Sequence, residues 1–299
     1  MSSLCRPQAI WDLSRVELVR GIQSTLGRAV SAQGIGLFTG ENVSFTLLPA
    51  PANHGIVFQR IDLPGSVQIP ADCGSVQATP RCTVLGIGSA RIQTVEHLLA
   101  ALRAYEIDNV LIQIDGSEVP IFDGSSKVFA SMIEEAGVVR MEEEMDVISL
   151  KSPVYWSEGN VHLIALPADE YKISYTLHYP HCSLIGSQFY SFSLTKEKFV
   201  KEIAPCRTFS IYEEIAPMIE KGLIKGGCLD SAVLIKEGVV ANPEGLRYPD
   251  EMVRHKVLDL IGDCSLLPKF LAHVIAICSG HTSNHEFGKK FLKYVKGEC

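Results

Sequence analysis

The sequence predicts an α+β fold built from two similar domains, and three observations carry that reading. Short apolar segments of strand length, bounded by Gly, Pro or Asn, fill much of the chain. Two stretches, around residues 93–105 and 253–263, show the 3.6-residue periodicity of helices with one apolar face. A string also recurs. Gly40-Glu-Asn-Val43 runs on to Leu48-Pro-Ala50, and Glu158-Gly-Asn-Val161 runs on to Leu166-Pro-Ala168, at like positions in the two halves.

Composition excludes several classes of function. The chain has 299 residues, 46% hydrophobic and 20% charged, which is globular and leaves room for one large domain or two of about 150 residues. A net charge of −7 without any Lys/Arg run argues against a nucleic-acid partner. No apolar run approaches the ~20 residues of a membrane-spanning helix. The nine cysteines form no Cys-x-x-Cys pair and read as free thiols in a reducing compartment. The first ten residues lack the apolar core of a secretory leader, so a cytoplasmic location is expected.

In chain order, residues 1–21 read as an N-terminal extension, because Pro7 and scattered charges break any pattern before Ile22. The first domain is expected over 22–145, opening with strands near 25–31, 42–48 and 55–59. Gly34, Gly36 and Gly40 mark a tight turn between the first two; no helix follows, so this is no phosphate loop. The helix of 93–105 shows Val95, Leu98, Leu99, Leu102 and Tyr105 on one face, with Thr94 placed to cap it. A buried strand at 109–114 follows, then a loop in which Ser125 or Ser126 can cap a helix over 127–136. The charged stretch 140–146 is the expected boundary, and 146–299 the second domain. A cleft between two such halves is the default place for a ligand.

The histidines hold the candidate chemistry. His178 and His181 flank Pro180 and read as a solvated turn. His281 and His285 follow an apolar strand and Gly280, which places His281 on a strand-end loop. His255 and Asp259 stand at i and i+4 of an apolar-periodic helix, so imidazole and carboxylate share one face, suited to two ligands of one metal or to an ion pair. Asp263 continues that polar stripe on a helix that should bury something. Glu96-His97 opens the other strong helix, readable as a first-turn carboxylate beside a core histidine, or as a metal ligand with a base beside it.

Several strings, in order, carry a resemblance: Thr94-Val-Glu-His-Leu-Leu-Ala-Ala-Leu102, Ile107-Asp-Asn109, Val119-Pro-Ile-Phe-Asp-Gly-Ser125, Cys206-Arg-Thr-Phe209, Val253-Arg-His-Lys-Val-Leu-Asp-Leu-Ile-Gly-Asp263 and Ser279-Gly-His281. Together, over roughly 22–291, the chain resembles the UDP-3-O-acyl-N-acetylglucosamine deacetylases, zinc amidases of lipid A synthesis. The resemblance implies two small, mostly antiparallel sheets, each with helices on one face, packed as a two-fold sandwich with the helices between the sheets. It implies one zinc per chain, with Fe(II) also suited to the donor set, held by His97, His255 and Asp259. It makes Glu96 the general base and His281 the group that stabilises the oxyanion and protonates the leaving amine. Asp263 would orient His281, and Thr208 would polarise the acetyl carbonyl. Lys256 and Phe209 would line the sugar site and Tyr175 would stack on the uracil. A β-α-β insert at about 210–235 would form an acyl passage lined by Ile211, Ile215, Ile224, Ala232 and Leu234. The partner implied is the acylated nucleotide sugar, and a monomer is expected.

Two departures stand out. Phe38 occupies a place where the family usually has His, and Tyr175 keeps only the aromatic type at the position that usually stacks on the uracil. Cys82 falls in a loop the family places near the metal, and is expected to be a bystander because a fourth protein ligand would close the site. Two rival functions fit the same scaffold: a nucleotide-sugar or lipid carrier without turnover, and a metalloamidase for a soluble acetylated sugar. The first predicts a lost catalytic position, the second no apolar passage. A purely structural protein would leave the polar stripe of the 255–263 helix without explanation.

Overall fold

The computed structural model describes residues 11–298. Its first half contains β1 (Val16–Leu26), β2 (Val30–Ile35), β3 (Asn42–Pro49), β4 (Ile56–Arg60), β5 (Val67–Pro70), β6 (Val76–Ala78), β7 (Val84–Ile87), β8 (Ala90–Gln93), α1 (Glu96–Ala104), β9 (Val110–Ile114), α2 (Lys127–Ala136) and β10 (Val138–Leu150). The second contains β11 (Val154–Glu158), β12 (Val161–Leu166), β13 (Tyr171–Tyr179), β14 (Gly186–Ser193), a short α3 (Lys196–Lys198) with a following π turn, β15 (Phe209–Ile211), α4 (Tyr212–Glu220), β16 (Val233–Lys236), β17 (Val239–Val240), α5 (Glu251–Cys264), β18 (Phe270–Ile277) and α6 (His281–Val295).

The α+β expectation and the internal repeat are both present as topology. One sheet runs β2-β3-β9-β4-β5, and the core of the other runs β11-β12-β18-β13-β14. In each, the first two pairings and the last are antiparallel and the third is parallel. In each, a helix precedes the central strand and another follows the return: α1-β9-α2 and α5-β18-α6. The recurring Asn-Val strings open β3 and flank the start of β12, strands that hold equivalent places. α1 lies along α5, while α5 and α6 lie on the second sheet, so the helices sit between the sheets. One continuous apolar core runs through both halves.

The helix contact is close because of one glycine. A Cβ on Gly262 of α5 would fall on the backbone carbonyl of Glu96 in α1. Any side chain there would push apart the two helices that carry the polar residues.

Three boundaries differ from expectation. Residues 16–21 belong to β1, so an extension ending at 21 would cut a strand; residues 1–10 lie outside the described residues. The stretch 140–146, expected as the boundary between the halves, is itself strand: β10 pairs along most of its length with β1 and with β18 at Ile148 and Ser149. A two-stranded ribbon wets both faces, which accommodates its exposed glutamates. Thr94 is not the cap of α1. It has a left-handed φ of 59°, and its hydroxyl donates to Glu118 at 3.0 Å. Helix α2 spans the expected residues, with Lys127 N donating to the Ser125 hydroxyl at 3.2 Å.

Gly262→Ala tests the helix contact. Overpacking at such a site costs about 1–3 kcal/mol, so urea unfolding should show a lowered midpoint. Unchanged stability would mean the helices can separate freely.

Candidate metal centre and active-site cavity

Each half contributes one helix to the site. α1 opens with Glu96 and His97, and α5 presents His255, Asp259 and Asp263 at one-turn intervals, with Lys256 next to His255. The potential ligand atoms of His97, His255 and Asp259 all lie within 4.8 Å of one another. Asp259 Oδ1 is 3.6 Å from His97 Nε2 and 3.3 Å from His255 Nε2. The two imidazoles meet edge to face, with centroids 5.0 Å apart. All three side chains are buried.

Hydrogen bonds orient this cluster. His255 Nδ1 lies 3.1 Å from the carbonyl of Cys206. A carbonyl only accepts, so Nδ1 carries a proton and Nε2 is the ring atom turned toward Asp259. Lys256 Nζ donates to Asp259 Oδ2 at 2.5 Å, whereas Asp259 Oδ1 is buried without any hydrogen-bond partner. Burial lowers the pKa of His97 and so favours its neutral, ligating form. Burial alone would raise Asp259, but His255 and Lys256 overcome it and hold the carboxyl well below its usual range. An orphaned carboxylate oxygen facing two imidazole nitrogens is a donor set suited to Zn²⁺ or Fe²⁺.

Beside this cluster stand an acid and a base. Glu96 Oε1 is 3.9 Å from His281 Nε2, and Glu96 Oε2 accepts from Thr83 N at 3.2 Å. His281 is the first residue of α6, not part of a loop. Its Nδ1 donates to Asp263 Oδ2 at 2.9 Å. That carboxylate is itself fixed by Asn284 Nδ2 at 2.8 Å and by the Thr83 hydroxyl, which reaches Asp263 Oδ1 at 2.6 Å. Burial disfavours a charged imidazole, but Asp263, followed by Glu96 and Asp259, raises His281 to about 9. Burial pushes Glu96 up to about 7, with Asp263 and Asp259 adding to the rise and His281 opposing it. Near neutrality one group can take a proton while the other holds one. Thr83 and Asn284 carried no signal of their own in the sequence beyond adjacency to Cys82 and to His281.

A cavity of about 840 Å³ opens over these groups. Glu96, His97, Asp259, His281, Thr208, Lys256 and Phe209 line it, with Lys256 Nζ 5.9 Å from the Phe209 ring centre. Thr208 is held by backbone bonds to Gly124 and Val233, each 2.7 Å. The expected β-α-β insert is β15-α4-β16, with β15 and β16 parallel. Ile215, Ile224, Ala232 and Leu234 line the cavity, but Ile211 does not; it packs against the core. Tyr175 is also misplaced by the sequence reading. Its ring is fully buried and its hydroxyl donates to the Ser279 carbonyl at 2.5 Å, so it offers no face to a ligand. A strand with alternating burial turned that position inward. Tyr179, Tyr212 and Trp156 line the cavity instead.

The turn at Gly36–Gly40 brings Leu37 and Phe38 to the wall. Glu118, completely buried, accepts from Phe38 N at 3.0 Å, Thr39 N at 2.8 Å and the Thr39 hydroxyl at 2.8 Å. The loop of the insert closes on the same turn: Gly226 N donates to Leu37 O at 3.0 Å, and a Cβ on Gly226 would strike the carbonyl of Gly36. Cys82 lines the cavity, but burial raises its thiol well above the usual range, so it stays protonated and is a poor ligand. No disulfide joins the described cysteines, and no helix among the described residues is long and apolar enough to cross a membrane.

A family model described as UDP-3-O-acyl N-acetylglycosamine deacetylase matches residues 23–293. The UDP-3-O-acyl-N-acetylglucosamine deacetylase of Chlamydia pneumoniae is 50% identical over 276 residues, covering 92% of this chain and 98% of that protein. The protein of the same name from Chlamydia abortus is 50% identical over 275 residues, with the same coverage. That of Chlamydia trachomatis serovar L2 is 47% identical over 277 residues, covering 92% and 96%.

The His281–Asp263 pair yields a pH prediction. Asp263→Asn removes the carboxylate that favours the imidazolium, so the His281 pKa should fall from about 9, measured by NMR titration of its ring protons. The folded value exceeds the ordinary 6.5, so the pair's stabilisation is complete below pH 6.5 and fades as pH rises through about 9. The variant should lose that pH dependence; an unmoved titration would show that Asp263 does not set the charge.

Proposed function

We propose, because the chain belongs to the UDP-3-O-acyl N-acetylglycosamine deacetylase family, that it removes the N-acetyl group from UDP-3-O-acyl-N-acetylglucosamine, in the lipid A pathway that the family serves. The observation that carries the reading is the meeting of three things at one cavity: the His97–His255–Asp259 donor set, the Glu96–His281 pair and the apolar insert. The carrier alternative gives no reason for a buried base and acid facing one another. The soluble-sugar alternative gives none for the apolar wall of Ile215, Ile224, Ala232 and Leu234.

His97, His255 and Asp259 would hold one zinc ion. Bound there, the ion would supply Lewis-acid polarisation of the acetyl carbonyl and a lowered pKa for water. Glu96, with its pKa near neutrality, would take the proton of the attacking water. His281, held charged by Asp263, would stabilise negative charge on the carbonyl oxygen and pass its proton to the departing amine. Thr208 lies on the same wall and would add a hydroxyl to that oxygen. Lys256 keeps Asp259 ionised and would line the sugar part of the site. The insert would accept the acyl chain, where each buried methylene contributes about 0.8 kcal/mol.

Two experiments test the reading. Glu96→Gln keeps size and hydrogen bonding but cannot take a proton; it should retain metal and lower kcat by roughly 10²–10⁴-fold. Wild-type kcat in that variant would remove Glu96 as the base. His97→Ala should lose the metal by elemental analysis while remaining folded by circular dichroism, because it deletes one of three protein ligands. Full metal occupancy would overturn the assignment of the site.

A further inference from the structure

The charges on the cavity wall leave one cation without a protein partner. Glu96, Glu158 and Asp259 place carboxylates there, against the permanent cations Lys256 and Arg81. Lys256 is engaged by Asp259 at 2.5 Å. The guanidinium of Arg81 is exposed and, among the described residues, forms no hydrogen bond or ion pair. Its charge is felt by Tyr179, another residue of the wall.

The backbone beneath Arg81 is held in place. Arg81 has a left-handed φ of 67°, a conformation that L-residues other than Asn and Asp seldom adopt. Such a conformation persists where neighbouring contacts over-determine it. On one side, Arg81 N donates to Thr79 O at 3.0 Å, and the Thr79 hydroxyl bonds that of Thr282 in the first turn of α6 at 2.7 Å. On the other, Thr83 is tied to Glu96 and Asp263. The held backbone therefore presents an unpaired guanidinium at the cavity wall, two residues from the anchor of the acid–base pair.

From this geometry we infer that Arg81 recognises the diphosphate of the substrate, its planar fork donating to phosphate oxygens. This rests on the deacetylase reading, whose substrate carries two phosphate charges into a wall otherwise rich in carboxylates. A guanidinium suits this task because it is always charged and its N–H groups match phosphate geometry. Arg81 is a specificity-determining residue that binds the diphosphate and not the acetyl group, so it should act on binding and not on the chemical step.

The test compares two substrates. One is UDP-3-O-acyl-N-acetylglucosamine; the other is the methyl glycoside of the same acylated sugar, without diphosphate. Arg81→Gln should raise KM for the first by about 10–100-fold, the range for losing charged hydrogen bonds, with kcat within about twofold. KM for the second should not change, and Arg81→Lys should recover part of the loss. Calorimetry with UDP alone should show the same weakening, independent of turnover. An equal KM change for both substrates, or unchanged UDP affinity, would overturn the role of Arg81. Failure of the unaltered chain to deacetylate either substrate would instead overturn the deacetylase reading, while the UDP titration would still report on Arg81.

Discussion

The approach of α1 to α5, where Gly262 lies against the backbone of Glu96, sets the distance between the two halves of the molecule. The ligand cluster depends on it, because His97 comes from one half and His255 and Asp259 from the other. The same contact fixes the height of Glu96 relative to Asp263, which stands one residue beyond Gly262 and orients His281. A hydrophobic interface of aliphatic side chains alone would leave this spacing adjustable by repacking. Backbone against backbone leaves much less freedom. A second buried anchor holds the start of α5. Arg207 donates through Nε to Glu251 Oε1 at 2.9 Å and through its backbone N to the same oxygen at 3.0 Å. That ties the segment carrying Cys206 and Thr208 to the helix carrying the ligands.

The repeated topology and the asymmetric site belong together. Both halves place a helix before the central strand of a sheet. In the second half this helix carries a polar face along three turns; in the first the polar residues are the opening pair, Glu96 and His97, and Arg103 near the far end, and the rest is aliphatic. The twofold arrangement brings the two helices together, and the difference in their sequences makes the pocket one-sided. Among the described residues the β15-α4-β16 insert belongs to the second half alone, and it adds the apolar wall on one flank.

Much of this was legible in the sequence. The periodicity of Val95, Leu98, Leu99 and Leu102 gave α1, and the serines before Lys127 gave the start of α2, because local chemistry decides both. The polar stripe of α5 signalled a shared purpose, although which of its members would meet His97 depends on tertiary contact. What failed had physical causes. The glutamates of β10 mimic a linker because that part of the strand pairs only with β1. Thr94 has the chemistry of a cap, yet the buried carboxylate of Glu118 draws its hydroxyl away. Tyr175 and Tyr179 stand four residues apart on β13 and differ in fate, one sealed under Ser279 and the other on the cavity wall, a difference set by where the strand leaves the core. Thr83 and Arg81 were silent because their importance comes from a loop conformation that no sequence pattern announces.

The junction between the Gly36–Gly40 turn and the insert has a mechanical consequence. Leu37 and Phe38 accept from Gly226 and Lys225 through main-chain groups, and Glu118 clamps the turn from behind. The mouth of the apolar passage is thus framed by peptide groups drawn from both halves, as a window is framed by its jambs. Exchanging a side chain along Ile215, Ile224 or Ala232 alters the aperture without loosening its frame. Breaking the frame requires a change at Gly226 or Glu118, and either would act at once on the apolar wall and on the loop leading into the helix that bears Glu96. The aperture between the apolar side chains and the registration of the Glu96 carboxylate are in this way mechanically joined.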